Sequence, residues 1–144
     1  MTLDKLAKEV RESNRGENGS FALAIASTNQ LTFFDDVDSD GLTEKISYFL
    51  NGTDLKRSVI EPGATFLYSG TAVTTVVLTD VRNNSVPIFT YYDEDYTGTQ
   101  SSMSSPVDVL DVKLVGVSIT VNSLNTFKSY PLHVETKIQL RNLK

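Results

Sequence analysis

The feature that most constrains the fold is a contrast along the chain. One short helical pattern occupies the start, and β-type patterns occupy nearly everything after residue 20. There the apolar segments are short, rich in β-branched and aromatic residues, and separated by turn residues. The predicted fold class is therefore α+β, with an N-terminal helix packed on an antiparallel β-sheet of several strands.

The helix is predicted over residues 2–13, because apolar side chains recur there at i, i+3, i+4 and i+7. This apolar stripe consists of Leu3, Leu6, Ala7 and Val10. The polar face consists of Asp4, Lys5, Lys8, Glu9, Arg11 and Glu12. The stripe is narrow, as in a helix that covers one side of a core.

The strands are predicted from short apolar runs bounded by turn residues. They lie at 21–26, 30–34, 45–50, 54–60 and 86–92. Asn51-Gly52 predicts a hairpin between the third and fourth of them. Residues 72–82 fit a short helix by the spacing of their valines, but their many β-branched residues favour a strand.

The last third of the chain shows alternation. Leu110, Val112 and Leu114 hold one phase, and the run that starts at Val115 holds the other, which predicts a bulge or bend near Gly116. A half-buried strand is predicted close to the C-terminus. Its apolar side consists of Leu132, Val134, Ile138 and Leu140, and its polar side consists of His133, Glu135, Lys137, Gln139 and Arg141.

Size and composition predict a single domain over residues 1–144. With 40% hydrophobic and 22% charged residues, the chain can bury one core. The net charge of −5 and the scattered basic residues predict no nucleic-acid binding. Zero Cys and a single His exclude disulfides, thiolate metal sites and a His-based metal cluster within one chain. No apolar run approaches the ~20 residues that span a bilayer.

The sharpest local motif is the acidic turn DVDSDGLTE at residues 36–44. Carboxylates at its first, third and fifth positions can converge on one hard cation, and the glycine at its sixth position permits a sharp turn. The predicted cofactor is Ca²⁺, and its candidate ligands are Asp36, Asp38, Asp40, Leu42 through its carbonyl, and Glu44. Ser47 stands where a helix–loop–helix Ca²⁺ loop has a bidentate Glu. A plain polar hairpin turn is therefore the alternative.

The remaining polar clusters point away from an enzyme. Asp93, Glu94 and Asp95 follow an aromatic strand, and paired carboxylates can hydrolyse glycosides. Consecutive residues of a strand diverge, however, so a solvated loop is favoured over a glycosidase that uses Asp93 or Asp95. His133 is predicted to lie on the surface. The sequence contains neither a nucleophile-elbow serine nor a Gly-rich phosphate loop.

The order of segments from Leu3 to the C-terminus resembles the soluble part of bacterial type IV pilin-like proteins. It is also similar to the J-type minor pseudopilins of type II secretion. The resemblance is carried by residues 31–35 (LTFFD), 38–41 (DSDG), 43–50 (TEKISYFL), 51–59 (NGTDLKRSV), 80–83 (DVRN), 87–93 (PIFTYYD) and 138–143 (IQLRNL). Its specificity lies in the number and order of these segments, because none of them is a catalytic motif.

The resemblance implies a long N-terminal helix. In this family the apolar first half anchors in the inner membrane and packs in the filament core, and the second half packs on an antiparallel sheet. Residues 2–13 match only the second half, and this sequence has no prepilin cleavage motif. We therefore expect that the membrane and filament-core segment is missing and that Met1 stands in place of a removed stretch. Many pilins also have a C-terminal disulfide loop, and this chain departs from them because it has no Cys.

The function implied by the resemblance is structural and not enzymatic. The expected role is that of a subunit of a type IV pilus or a type II secretion pseudopilus, which assembles through its N-terminal helix into a helical filament. The expected partners are other pilin or pseudopilin subunits and, through the missing segment, the inner membrane. The expected location is the cell surface or the periplasmic side. The alternative is a free-standing Ca²⁺-dependent adhesion or carbohydrate-binding β-module.

Overall fold

The computed structural model describes residues 3–17, 19, 21–64, 67–124 and 129–140. The chain begins with one helix, α1 (Leu3–Arg11), and continues as eight strands. These are β1 (Leu23–Ala26), β2 (Gln30–Asp35), β3 (Glu44–Asn51), β4 (Asp54–Ile60), β5 (Val73–Leu78), β6 (Phe89–Tyr92), β7 (Leu114–Leu124) and β8 (Ser129–Gln139). A short 3₁₀ turn at Val109–Asp111 precedes β7. The α+β class predicted from the sequence is confirmed.

The strands form two antiparallel sheets and not the single sheet that the sequence predicted. The first has the order β1-β2-β3-β4-β5, and the second has the order β6-β7-β8. An isolated bridge between Val81 and Val121 joins the segment after β5 to the second sheet. The periodicity of a strand shows which of its faces is buried but not which strand lies beside it, so this division was not visible in the sequence.

The helix and both sheets supply one hydrophobic core. Leu6 and Val10 of α1 are buried in it. The buried side chains of the first sheet are Leu23, Leu31, Phe33, Ile46, Tyr48 and Leu55, and those of the second are Phe89, Tyr91, Val115, Val117, Ile119 and Ile138. Phe33, Tyr48, Phe89 and Tyr91 are the aromatic residues of this core, and the rings of Phe33 and Tyr48 are stacked.

The pairings of β4 with β3 and β5 test two predictions, the Asn51-Gly52 hairpin and the strand at residues 72–82. Asn51 pairs with Asp54, and the loop between them has Gly52 at its first position with a φ of 63°. This left-handed φ is what a two-residue hairpin turn requires of its first residue. β5 pairs with β4 along its length, so the strand interpretation of 72–82 is confirmed. It is an edge strand, and Val73 and Val76 are exposed.

The expected bulge near Gly116 is wrong. The pairing of β7 with β8 runs without interruption from Leu114 opposite Gln139 to Leu124 opposite Ser129. The change of phase arises because Leu110 lies in the 3₁₀ turn and not in the strand. Gly116 has a different role, since a Cβ at this position would collide with the Thr90 hydroxyl on β6. The glycine allows β6 and β7 to approach closely.

The solvent-exposed polar face predicted for β8 is confirmed for the residues whose side chains the structure describes. The side chains of His133, Glu135, Lys137 and Gln139 are exposed, and Ile138 and Leu140 are buried. Arg141 and the side chain of Leu132 lie outside the described residues, as do Met1, Thr2 and the side chain of Leu3. In the part of the chain that the structure describes, no helix is long and apolar enough to cross a membrane.

The placement of Glu9 on the polar face of the helix is wrong. Glu9 is buried at the contact of α1 with the first sheet. Its Oε1 accepts hydrogen bonds from the Tyr48 hydroxyl at 2.6 Å and from Arg57 Nε at 3.1 Å. Its Oε2 accepts from Arg57 Nη2 at 2.6 Å. The helical period assigns Glu9 to a boundary position, and the buried partners on β3 and β4 decide its environment.

The contacts with Glu9 shift the pKa values of Arg57 and Tyr48. Burial alone would lower the pKa of Arg57, but the hydrogen bonds and the negative charge of Glu9 outweigh burial and raise it. Burial and the Glu9 carboxylate both raise the pKa of Tyr48, so its hydroxyl stays a donor. Since Arg57 and Tyr48 both remain hydrogen-bond donors to the Glu9 carboxylate, these contacts fix α1 on the sheet.

Replacing Glu9 by Ala leaves the Arg57 guanidinium, whose side chain is only 13% exposed, without its carboxylate partner. We expect a loss of about 3–5 kcal/mol in the free energy of unfolding, measured by urea denaturation. Tyr48→Phe removes one hydrogen bond to a charged group, and we expect a loss of about 1.5–3 kcal/mol. The control is Lys8→Ala, whose 3.8 Å ion pair with Glu12 is exposed. It should change stability by less than about 0.5 kcal/mol. Equal effects of Glu9→Ala and Lys8→Ala would contradict this interpretation.

The close approach of β6 and β7 at Gly116 leads to a second prediction. Gly116→Ala forces a Cβ against Thr90, and we expect a loss of about 1–3 kcal/mol in thermal or urea unfolding. Adding Thr90→Ala removes the obstructing hydroxyl and should restore part of that loss. Gly70→Ala is the matched control, because a Cβ there meets nothing within 4 Å. A Gly116→Ala variant as stable as Gly70→Ala would show that the two strands do not need the glycine.

Candidate functional site

The predicted acidic motif forms the turn between β2 and β3. Asp35 pairs with Glu44 across the two strands, so the turn leaves the sheet after Asp35 and re-enters it at Glu44. Ser39 and Gly41 have φ values of 60° and 88°, which bend the backbone sharply. The glycine at position 41 allows this conformation at no steric cost, as its place in the motif predicted.

The turn brings the predicted acidic ligands together. Each of four residues offers one carboxylate oxygen, and these oxygens all lie within 4.8 Å of one another. The four residues are Asp36, Asp38, Asp40 and Glu44. Leu42, predicted as a carbonyl ligand, is part of the same turn, and its backbone N–H donates to Asp40 Oδ1 at 2.8 Å.

Hydrogen bonds within the turn orient the aspartates. The backbone N–H groups of Asp40 and Gly41 donate to the two carboxylate oxygens of Asp36, at 3.1 Å and 2.9 Å. The Asp40 N–H also donates to Asp38 Oδ1 at 3.2 Å. These bonds hold the carboxylates in place without neutralising their charge.

Glu44 is the buried member of the cluster. The residue is 0% exposed, and its Oε2 accepts a hydrogen bond from the Val37 N–H at 2.8 Å. Its Oε1 is buried and has no hydrogen-bond partner among the residues described. Burial, followed by the charges of Asp38 and other acidic neighbours, raises the pKa of Glu44 to about 7. A buried carboxylate oxygen without a hydrogen-bond donor is costly in free energy, so the Glu44 side chain needs an explanation beyond the turn itself.

Glu61 is a fifth acidic residue at this site, and the sequence analysis missed it. The register of β3 with β4 pairs Lys45 with Ile60, which places Glu61 beside Glu44 just beyond the last pair. Glu61 is exposed, and the little desolvation it undergoes, followed by the charges of Asp38 and Asp40, raises its pKa. Counting back along both strands from the Asn51-Gly52 hairpin would have found it, because antiparallel pairing sets Glu44 against Glu61.

The base of the turn is fixed to the segment that follows α1. The Thr43 N–H donates to Glu17 Oε1 at 3.2 Å, and the Thr43 hydroxyl donates to the Arg15 carbonyl at 3.1 Å. The Tyr68 hydroxyl donates to the Thr43 carbonyl at 2.7 Å. The acidic turn is therefore anchored at its foot, and its carboxylates are carried on a supported loop.

No lysine or arginine within the described ranges forms an ion pair with these five carboxylates. Lys5 and Lys8 line the same cleft as Asp36 but form no ion pair with it, so the cluster concentrates negative charge at the turn. Oxygen ligands of this kind suit a hard cation such as Ca²⁺.

The other predicted site residues remain apart from this cluster. Asp93, Glu94 and Asp95 are exposed in the loop after β6, and Asp93 Oδ1 accepts from the Asp95 N–H at 2.9 Å. Asp93 and Asp95 border an open cleft together with Glu94, Asp111 and Lys113. Both aspartates are exposed to solvent there, whereas the acid of a glycosidase is kept protonated by an apolar pocket, so the solvated-loop interpretation is the better one. His133 is exposed, as expected, with its Nδ1 2.9 Å from the Thr120 hydroxyl.

No protein-family model matches the sequence, and no curated protein matches it either. Among solved structures, the chain is similar to one in the crystal structure of the GspK-GspI-GspJ complex from the enterotoxigenic Escherichia coli type 2 secretion system. The TM-score is 0.54 and the sequence identity is 14%. The match covers 99% of this chain and 95% of the other. The likeness is one of fold and spans nearly the whole length of both chains.

Proposed function

We propose that this chain is a structural, non-enzymatic subunit of a type II secretion pseudopilus or a type IV pilus. The observation that carries the proposal is the fold likeness to a chain of a secretion-system complex, which covers 99% of this chain. The sequence resemblance to pilin-like proteins leads to the same class independently of the coordinates. The candidate site, an acidic turn, adds no catalytic group to this picture.

The two faces of α1 fit such a role. Leu6 and Val10 are buried against the sheets, and Glu9 locks the helix in that orientation. Asp4, Lys5 and Lys8 are exposed on the opposite face. In the proposal this charged face meets neighbouring subunits. A head-to-tail contact that does not close on itself generates a helical filament.

The partners in this proposal are other pilin or pseudopilin subunits. The full gene product would carry an apolar segment before α1 that anchors in the inner membrane before assembly. The domain described here would then lie on the periplasmic side or at the cell surface. These proposals follow from the pilin-like resemblance.

The second candidate is a Ca²⁺-dependent adhesion or carbohydrate-binding module. The observation in its favour is the acidic cluster at the β2–β3 turn. It differs from the subunit proposal in its partner, because it requires a glycan and not another pilin-like chain. Binding of the isolated domain to immobilised glycans, with no cross-links from α1, would favour it.

Site-specific cross-linking tests the subunit proposal. The chain has no Cys, so Lys5→Cys and Lys8→Cys each introduce a unique thiol on the exposed face of α1. The variants are produced from the complete gene in the native cell and treated with a short bis-maleimide. We expect cross-links to further copies or to other pilin-like proteins, identified by mass spectrometry, at several times the background of the Cys-free chain.

The matched control is Glu135→Cys, which places an equally exposed thiol on the face of β8 turned away from the core. It should give few cross-links. Equal cross-linking from β8 and α1, or none from either helix position, would count against assembly through the helix.

A further inference from the structure

We propose that the carboxylates of Asp36, Asp38, Asp40 and Glu44 bind one Ca²⁺ and that Glu61 on the adjacent strand is an additional ligand. The cation then ties the β2–β3 turn to the end of β4. Ca²⁺ binding at this site does not require the proposed subunit role, and it can be measured without filament assembly.

The argument for a bound ion rests on Glu44. Aspartates clustered in a polar turn are common without a ligand, and their hydrogen bonds to backbone N–H groups serve the turn itself. Glu44 differs because it is fully buried, lies within the cluster, and has an oxygen, Oε1, that receives no hydrogen bond from an N–H or hydroxyl donor of the described residues. Its neighbour just beyond β4, Glu61, is a second carboxylate and brings no positive charge. A buried carboxylate in that state calls for a positive partner.

The chemistry of the donors selects Ca²⁺. All the donors are oxygens, and the single His of the chain lies on β8. Zinc and other transition metals prefer nitrogen and sulfur ligands, whereas Ca²⁺ takes six to eight oxygens in flexible geometry. The four clustered carboxylates, Glu61 and the Leu42 carbonyl together offer that number. Mg²⁺ demands a tighter octahedral arrangement and keeps several of its waters, so it suits this turn less well.

Glu61 would link the cation at the β2–β3 turn to the end of β4. The four clustered carboxylates belong to the turn and to the first residue of β3, whereas Glu61 directly follows β4. A cation held by both would cross-link the turn to the neighbouring strand. Thr43, at the foot of the same turn, already contacts Glu17 in the segment after α1. Ca²⁺ would therefore stabilise the whole corner of the domain in a chain that has no disulfide.

Calorimetric titration of CaCl₂ into chelator-stripped protein tests the site directly. We expect one Ca²⁺ per chain and a rise in Tm on binding, because the ion stabilises the folded state by mass action. Glu44→Gln should weaken binding by about 100-fold and abolish the rise in Tm. Asp38→Asn and Glu61→Gln should each weaken it by about tenfold. Asp95→Asn, in the other acidic loop, is the matched control and should bind Ca²⁺ like the wild type.

The set of variants distinguishes the removal of a Ca²⁺-binding side chain from a loss of folded structure. Asp38 is exposed, so Asp38→Asn reports on binding even if Glu44→Gln unfolds the corner, and circular dichroism checks the fold of each. Wild-type protein that shows neither heat nor a Tm change up to ~10 mM Ca²⁺ would overturn the site, since this exceeds the range of weak extracellular Ca²⁺ modules. Unchanged affinity in Glu61→Gln would remove Glu61 from the ligands.

Discussion

The arrangement of the domain depends on one buried ion pair. Glu9 of α1 accepts hydrogen bonds from Tyr48 on β3 and from Arg57 on β4, at distances of 2.6 to 3.1 Å. Apolar contacts at Leu6 and Val10 bring the helix onto the core, but they would tolerate some rotation about its axis. The bidentate geometry does not, because the guanidinium fork donates two hydrogen bonds to the carboxylate only in a narrow range of orientations. The ion pair therefore determines which face of α1 remains available to a partner.

Local patterns predicted the elements, and tertiary contacts decided the rest. The helix, the Asn51-Gly52 hairpin and the wet face of β8 follow from periodicity and turn chemistry, which act over a few residues. Glu9 was assigned to the wrong face of the helix and Glu61 was missed, because the residues that surround them come from strands distant in sequence. The split into two sheets has the same origin. Asp36, Asp38, Asp40 and Glu44 lie close together as predicted, since one tight turn contains them all.

Two features reinforce one end of the domain. The helix is locked by Glu9, and the acidic turn is anchored through Thr43 to the segment that leaves the helix. Both stabilise the junction of α1 with the first sheet. In a filament, a load applied through the helix would pass to the sheet across this junction. The charged outer face of α1, with Asp4, Lys5 and Lys8 exposed, would remain open to a neighbouring subunit in that arrangement.

The most direct test of the subunit role is to locate the full gene product in its own cell. Surface filaments and membrane-bound pseudopilus assemblies would be sheared or extracted, separated by density, and analysed by immunogold electron microscopy with antibodies to this domain. The proposal predicts that the chain fractionates with the filaments and labels them along their length or at their tips. Recovery only as a free protein, with unlabelled filaments, would contradict it.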